Sequence, residues 1–212
     1  MPTGRGPFVV LDGGEGSGKT SLLQKVKEHY GDGVVITREP GGSAYAEEIR
    51  ELILNSPNAK QADGETMFSL FWAARADHLK NTIIPALNSG KMVISDRFDS
   101  TTYAYQIVAQ KVRELEELFW TVRGLYLKGY KPNLYVYLDV SPAVGLARKN
   151  TQRDERKNHF DERRLEFHED LRKGFKEFFA RKDYDIKSAI INAERSQEAV
   201  CAEFERIAFS LR

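Results

Sequence analysis

A glycine-rich stretch that ends in a lysine and a threonine is the part of this chain best suited to bind phosphate. Glycines let backbone N–H groups curl around phosphate oxygens, because no Cβ atom obstructs the approach. The lysine places a positive charge at the β- and γ-phosphates of ATP, and the hydroxyl beside it can ligate Mg²⁺. These residues are Gly13, Gly14, Glu15, Gly16, Ser17, Gly18, Lys19 and Thr20. Their spacing predicts an ATP-binding P-loop, with Mg²⁺ as the cofactor and Thr20 as a metal ligand.

The surroundings of this loop favour a P-loop over an ordinary glycine-rich turn. Residues 8–11 before the loop are all apolar, and Leu22, Leu23 and Val26 share one face of the segment after it. The order is therefore strand, glycine-rich loop, helix. The start of a helix adds unpaired amides and a positive dipole end, both of which attract phosphate.

Charged residues follow two other apolar stretches. Arg38 and Glu39 come after residues 34–36 and before Pro-Gly-Gly, and Asp96 and Arg97 come after residues 92–94. The carboxyl ends of parallel strands gather at one edge of a sheet, so we expect these residues beside the P-loop. Asp96 suits a water-mediated contact with Mg²⁺, and Arg97 can hold a phosphate bidentately. The alternatives are solvated charges in a turn for the first segment and an Asp–Arg surface pair for the second.

Phe71 and Arg75 are four residues apart in a long helical pattern, so they share a face. An aromatic plane beside a guanidinium group can stack on a nucleobase and bond to its edge oxygens. The alternative is equally open at this point: Phe71 would belong to the core, and Arg75 would extend its charged end into water.

A strongly basic segment follows the fourth apolar stretch. Its basic residues are Arg148, Lys149, Arg153, Arg156 and Lys157. The segment has few apolar anchors, and helical patterns flank it. We expect a short mobile lid over about residues 148–159, whose arginines reach phosphates when it closes. A solvated charged loop is the alternative.

Short apolar stretches alternate with helical patterns along the chain. Strands are predicted at residues 8–11, 34–36, 92–94, 134–138 and 189–191, and helices at 43–54, 65–88 with a break at Pro85, 102–128, 160–179 and 196–211. Continuously apolar strands are typical of a parallel sheet covered on both faces. The fold class is therefore α/β, a doubly wound parallel five-stranded sheet with helices on both faces. A length of 212 residues predicts one domain, residues 1–212.

Composition excludes several classes of partner. The formal net charge is +1, so we expect no attraction to nucleic acid. No apolar run approaches the ~20 residues that span a bilayer, so we expect no membrane partner. Cys201 is the single cysteine and cannot form an internal disulfide. These features predict a cytoplasmic protein.

The motifs together resemble those of the thymidylate kinases, a family of P-loop nucleoside-monophosphate kinases. The resemblance covers nearly the whole chain, and Thr-Arg-Glu-Pro-Gly-Gly at residues 37–42 is its most specific element. The other matching segments are residues 12–20, 71–76, 96–98, 101–106, 165–168 and 191–193. The family is similar in fold to other P-loop NTPases. Its reaction is the transfer of a phosphoryl group from ATP to dTMP with Mg²⁺, and its usual assembly is a homodimer.

The resemblance also implies roles for individual residues. Phe71 matches the residue that stacks on thymine, and Arg75 the one that reads a carbonyl oxygen of the base. Arg97 matches the arginine that grips the acceptor phosphate, with Arg38 and Glu39 close by. Tyr105 matches the residue that crowds a ribose 2′-OH, Thr102 and Gln106 those that flank the base, and Glu15 the acid that faces the 3′-OH. Asp12, also counted with the dTMP site, stands where the family usually has Glu.

Family members without an arginine in the P-loop place their catalytic arginine in the lid. This P-loop has none, so Arg148, Arg153 and Arg156 are the candidates, with Arg153 preferred. Three other functions stay open. Glu39 could serve as the base of a deoxynucleoside kinase that acts on a neutral 5′-OH. The shorter Asp12 side chain could relax base selectivity in a monophosphate kinase. A nucleotide-binding module without catalysis is the third.

Overall fold

The computed structural model describes residues 4–151 and 164–211. Its centre is a sheet of five parallel strands in the order β2-β3-β1-β4-β5. The strands are β1 (Phe8–Gly13), β2 (Val34–Arg38), β3 (Met92–Asp96), β4 (Leu134–Asp139) and β5 (Ser188–Asn192). All five predicted strands are confirmed, and β1, at the centre, is buried along its whole length.

Helices cover both faces of this sheet, as predicted. The helices are α1 (Lys19–Tyr30), α2 (Ala44–Asn55), α3 (Gly64–His78), α4 (Ile84–Asn88), α5 (Asp99–Thr102), α6 (Glu116–Tyr126), α7 (Pro142–Thr151), α8 (Leu165–Phe179) and α9 (Gln197–Ala208). Helices α1 and α9 pack Leu22, Val26 and Phe204 on one face of the sheet. The opposite face carries a larger aromatic core that includes Trp72 and Phe119.

Two helix predictions need correction. The chain does not break at Pro85, because a π-helical turn, Leu79–Ile83, joins α3 to α4. Such a turn widens the backbone just before the proline, whose ring would otherwise clash with the preceding turn. The helix predicted over residues 102–128 is in two parts. The first, α5 with the π-helical turn Tyr103–Ala109, ends before Lys111, which has a left-handed φ of 63°; the second is α6.

Strand register brings the predicted site residues to one edge. Leu11 in β1 is paired with Asp96 in β3, and Arg38 in β2 is paired with the same aspartate. On the other side of β1, Gly13 is paired with Leu138 of β4. The P-loop therefore leaves the sheet between the ends of β3 and β4, with the end of β2 on the far side of β3. None of the described helices is long and apolar enough to cross a bilayer.

Candidate active site

The P-loop curls between the end of β1 and the start of α1. Gly16 and Gly18 have φ values of 65° and 89°, a left-handed conformation that favours glycine. The Lys19 Nζ atom donates a hydrogen bond of 3.0 Å to the carbonyl oxygen of Gly13, so the lysine folds back over its own loop. Burial lowers the pKa of Lys19, although nearby carboxylates oppose the shift.

A cleft of about 440 Å³ opens on the P-loop. Its lining includes Glu15, Gly16, Ser17, Gly18, Lys19 and Thr20, joined by Arg148, Lys149 and Thr151 of α7 and by Ala193, Arg195 and Gln197 near α9. The start of α1 points its free amides into this space. We call it the donor cleft, because this arrangement suits a nucleoside triphosphate.

A second cleft of about 140 Å³ lies on the other side of Glu15. Its lining includes Arg38, Glu39, Pro40 and Arg50, and also Phe71, Asp96, Arg97, Thr101 and Tyr105. We call it the acceptor cleft. Glu15 lines both clefts, so the two spaces meet at its side chain.

Glu15 is held between two cations. Its Oε1 atom lies 3.3 Å from Nη2 of Arg97, and its Oε2 atom lies 2.8 Å from Nζ of Lys149. Burial alone would raise the pKa of Glu15, but the charges of Arg97, Lys19 and Lys149 lower it to about 2. Glu15 is therefore ionised throughout the physiological range.

Two residues that line the acceptor cleft, Asp96 and Arg97, each have a buried polar atom without a partner among the described residues. Arg97 follows β3 with a left-handed φ of 69°. Its Nη1 atom is buried and has no hydrogen-bond partner among the described residues, and the same holds for Oδ1 of Asp96. Orphaned buried groups of this kind are costly unless a ligand satisfies them.

Arg75 has 1% of its surface exposed and is not part of either cleft lining, so the alternative of a surface arginine is wrong. Its Nε atom donates to Glu39 at 2.8 Å, and its Nη2 atom donates to the carbonyl oxygen of Phe98 and to Thr102. Nη1 has no partner within the part of the chain that is described. Phe71 is also mostly buried, and it both packs in the core and lines the acceptor cleft.

The helical segment after Arg97 carries the remaining predicted contacts. Tyr105 lies beside Arg97, whose guanidinium carbon is 5.5 Å from the centre of its ring. Gln106 is buried; its Nε2 atom donates to Gln110, and its Oε1 atom lacks a partner in the described ranges. Thr102, Tyr105 and Gln106 thus lie in the helical segment that directly follows Arg97.

Asp12 lies beneath the P-loop rather than in either cleft lining. Its carboxylate accepts hydrogen bonds from the hydroxyls of Ser100 and Thr101. Burial raises the pKa of Asp12 to about 7, against these hydrogen bonds and the charge of Arg97. Asp12 therefore ties β1 to the segment that carries Arg97.

Sequence comparison decides the family. The thymidylate kinase profile matches residues 11–204. The chain belongs to the thymidylate kinase family. A thymidylate kinase of Geobacillus thermodenitrificans is 37% identical over 201 residues, which cover 93% of this chain and 87% of the relative. That of Aster yellows witches'-broom phytoplasma is 38% identical over 197 residues, 91% and 92% of the two chains.

A solved structure from the same family has the same fold. The crystal structure of thymidylate kinase from Ehrlichia chaffeensis matches with a TM-score of 0.72 and 26% sequence identity. The match covers 96% of this chain and 98% of that one. The α/β P-loop fold predicted for this thymidylate kinase family member is confirmed.

Three further residues of this family member lie at the site: the sequence did not single out Arg50 and His78, and it indicated Lys149 only as a basic residue of the lid. Arg50 of α2 lines the acceptor cleft and donates to the carbonyl oxygen of Pro40 at 2.6 Å. His78 is fully buried against Glu39, and Lys149 pairs with Glu15. A basic residue on the buried face of a predicted helix was the available signal for Arg50. For His78 and Lys149 no local pattern names the partner.

The lid predicted over about residues 148–159 lies mostly within residues 152–163, which are outside the described part of the chain. Arg153 and Arg156 lie there, and so does the start of the helix predicted from residue 160. Residues 148–151 are the end of α7. Arg148 donates to the carbonyl oxygens of Ala193 and Glu194 at 2.8 and 3.4 Å, which binds α7 to the segment after β5.

Proposed function

We propose that this chain transfers the γ-phosphoryl group of ATP to dTMP and so forms ADP and dTDP. The observation that carries the proposal is the meeting of two clefts at Glu15, with the P-loop on one side and Arg97 with Phe71 on the other. A phosphoryl donor and a phosphate acceptor need this face-to-face arrangement with cations between them.

The reaction needs charge neutralisation more than proton transfer. The acceptor phosphate has a second pKa of ~6, so at neutral pH it is already largely a dianionic nucleophile. Roughly four negative charges on ATP approach roughly two on dTMP. Lys19 and Arg97 are catalytic residues in this proposal, since their charges stabilise the transferring group. Arg153 is the proposed third cation, and closure of the predicted lid beyond the anchored end of α7 is proposed to exclude water.

Mg²⁺ is the proposed cofactor, with Thr20 and Asp96 as the residues that would hold it. The buried Oδ1 atom of Asp96, which lacks a partner among the described residues, fits this assignment. Those residues contain no group of three carboxylate, His or Cys side chains able to form a protein-only cage. Mg²⁺ in kinases is held by one or two protein oxygens together with the phosphates, whose charge it neutralises.

The dTMP contacts are proposed as follows. Phe71 stacks on the base, and the free Nη1 atom of Arg75 and the free Oε1 atom of Gln106 meet its polar edge. Arg97, Arg38 and Arg50 surround the phosphate at the mouth of the cleft. The proposed sugar and flanking contacts are Glu15 at the 3′-OH, Tyr105 at the 2′ position, Thr102 beside the base, and Glu39 and Asp12 behind them.

The geometry disfavours a deoxynucleoside kinase. A kinase of that type needs a free carboxylate to accept the proton of a 5′-OH. Both oxygens of Glu39 are engaged, one by Arg75 at 2.8 Å and the other by His78 at 3.1 Å. A monophosphate kinase that accepts several bases, because Asp12 is shorter than the usual Glu, is a separate proposal. The panel of nucleoside monophosphates described below tests it.

We also propose a cytoplasmic homodimer of single-domain subunits. Large apolar side chains are exposed on two helices: Tyr45 and Leu52 of α2, and Leu118, Leu125 and Tyr126 of α6. A second copy of this chain is the proposed cover, as the family resemblance implies. Light scattering after size-exclusion chromatography tests it, with Leu52→Glu and Leu125→Glu expected to give monomers.

The deciding experiment is a panel of acceptors with ATP and Mg²⁺. ADP release is measured with dTMP, dUMP, dCMP, dGMP, dAMP and thymidine. We expect dTMP to give the highest kcat/KM and thymidine to give no product. Faster turnover of thymidine than of dTMP would establish the deoxynucleoside kinase, and ADP release independent of any acceptor would overturn the proposed transfer.

A further inference from the structure

The backbone of helix α7 packs directly against the backbone of the P-loop. A Cβ atom on Gly145 would lie 2.2 Å from the carbonyl oxygen of Glu15, and one on Gly16 would lie 2.0 Å from the carbonyl oxygen of Gly145. Such distances are far inside van der Waals contact, so both positions must be glycine for the helix to approach this closely. The position of α7 relative to the P-loop is thereby fixed.

Lys149 lies one helical turn after Gly145. Residues four apart share a helix face, so the face that touches the P-loop also carries Lys149. Arg148 binds the same turn to Ala193 and Glu194 on the other side. Lys149 reaches the donor cleft from this anchored helix, with 12% of its side chain exposed.

Lys149 and Arg97 approach one carboxylate from opposite clefts. Nζ of Lys149 is 2.8 Å from Oε2 of Glu15, and Nη2 of Arg97 is 3.3 Å from Oε1. Lys149 lines the donor cleft and Arg97 lines the acceptor cleft. A phosphoryl group that passes from one cleft to the other must cross the space next to both cations.

Three cations gather at this junction. Lys19, Arg97 and Lys149 all act on Glu15, which is the carboxylate that they share. Asp96 and Asp12 act on Lys19 and Arg97 as well, and Glu15 is the carboxylate that pairs with Lys149. Phosphate oxygens carry more charge than a single carboxylate and accept several hydrogen bonds, so they compete well for the ammonium group.

We propose that Lys149 is a catalytic residue, whose ammonium group moves from Glu15 to the phosphoryl group in transfer. The proposal rests on the proposed function and adds a contact to it. The bond from the γ-phosphorus to the β,γ-bridging oxygen breaks, and its electron pair stays on ADP. A bond from the same phosphorus to an oxygen of the dTMP phosphate forms. Lys149 donates hydrogen bonds to the equatorial oxygens and transfers no proton.

The test compares Lys149→Gln and Lys149→Arg with Lys173→Gln, once the wild-type protein has been shown to turn over dTMP. Lys173 pairs with Glu177 on α8 at 3.9 Å and lies outside both cleft linings, so its variant controls for the loss of one paired charge. We expect Lys149→Gln to lower kcat by roughly 10²- to 10³-fold, with KM for both substrates within about threefold. Lys149→Arg should recover most of this loss, and Lys173→Gln should match the wild type.

A second measurement separates catalysis from a structural role. Affinities for ADP alone, dTMP alone, and ADP with aluminium fluoride and dTMP are measured by calorimetry. Only the third complex mimics the transferring group, so Lys149→Gln should weaken it on the order of 10²-fold more than the other two. Should Lys149→Gln fail to fold, Lys149→Ala with added propylammonium replaces it, and the expected result is partial rescue of kcat.

Three results would each overturn the proposal: equal losses in all three complexes, a kcat within threefold of wild type, or no rescue. Absence of dTMP turnover by the wild-type protein would instead reject the proposed function.

Discussion

His78 and Glu39 form a hydrogen bond inside the core, with Nδ1 of the histidine 3.1 Å from Oε1 of the carboxylate. Nε2 of the same ring lies 2.7 Å from the hydroxyl of Thr37. Glu39 also accepts from Arg75, so Nδ1 serves best as a donor and Nε2 as an acceptor. A chain of four hydrogen-bonded side chains therefore runs from Thr37 in β2 to Arg75 in α3, and it satisfies both oxygens of Glu39.

Replacing Glu39 by Gln should destabilise the protein strongly. The substitution leaves the guanidinium of Arg75, which is almost fully buried, without a counter-charge. Breaking one side of a buried ion pair costs about 3–5 kcal/mol. Urea denaturation monitored by circular dichroism measures the loss. The control is Asp32→Asn, which removes an exposed partner of Lys27 and should leave the midpoint unchanged. Equal midpoints for the two variants would show that the Glu39–Arg75 pair is energetically unimportant.

Gly42→Ala should disturb the hydrogen bond between Thr37 and His78, although Gly42 is not itself part of it. A Cβ atom at this position would lie 2.4 Å from Nε2 of His78 and 2.5 Å from Oγ1 of Thr37, at a φ of 85°. We expect lower stability and a higher KM for dTMP, with KM for ATP unchanged. Gly124→Ala in α6 is the control, because its Cβ atom would meet no atom of the described residues within 4 Å. That change should stabilise the helix by about 0.5–1 kcal/mol. Wild-type values for Gly42→Ala would contradict the close packing seen here.

The sheet was predictable because parallel strands covered on both faces must be apolar throughout. That requirement shows in β1, where Phe8 to Leu11 are all buried. The P-loop was equally readable, because its chemistry dictates the residue type at four of eight consecutive positions. The ends of the helices were harder to predict from the sequence. A π-helical turn accommodates Pro85, and a helical segment ends before Lys111, which has a left-handed φ although it is not a glycine.

Contacts between distant parts of the chain could not be read from local patterns. Lys149 pairs with residue 15, and His78 pairs with residue 39; nothing in the neighbouring sequence indicates either partner. Nothing in the sequence around Gly145 marks it as a contact. Its role is visible only where α7 meets the P-loop, because the backbone atoms of the two segments fill the space that a Cβ would need. The contacts of the acceptor cleft came mainly from family resemblance, and their roles stay predictions.

Arg97→Ala should abolish most turnover and spare ATP binding. Arg97 lines the acceptor cleft and not the donor cleft, and its buried Nη1 atom has no partner in the described part of the chain. Arginines that stabilise a transferring phosphoryl group contribute on the order of 10³–10⁵ in rate. We therefore expect a kcat loss of at least ~10³-fold, with the affinity for ATP within about twofold. Steady-state kinetics and a fluorescent ATP analogue measure the two quantities. Unchanged turnover in the folded variant would remove Arg97 from the mechanism.

Phe71→Leu should raise KM for dTMP far more than KM for ATP. Leucine keeps much of the apolar volume of the core cluster but lacks the ring that would stack on thymine. Loss of base–aromatic stacking costs about 1–3 kcal/mol, so KM for dTMP should rise roughly 5- to 150-fold. Thermal unfolding of the same variant measures the packing loss separately. Similar increases in KM for dTMP and for ATP would show that Phe71 contributes to the packing of the core and does not stack on the base.

Asp12 should make stability fall as pH rises toward neutrality. Burial raises its pKa from the ordinary 3.8 to about 7, so the folded protein binds a proton that the unfolded chain releases above ~4. Below pH ~4 both states are protonated and no cost arises; above ~7 the full cost of burying the charge applies. A shift of this size corresponds to about 4 kcal/mol of unfolding free energy.

The variant Asp12→Asn tests this pH dependence, because its side chain cannot titrate and can still accept a hydrogen bond from Ser100 or Thr101. The difference in free energy of unfolding between this variant and wild type, measured from pH 5 to pH 8, should therefore grow in favour of Asn. A difference that stays constant over that range would show that Asp12 does not titrate there.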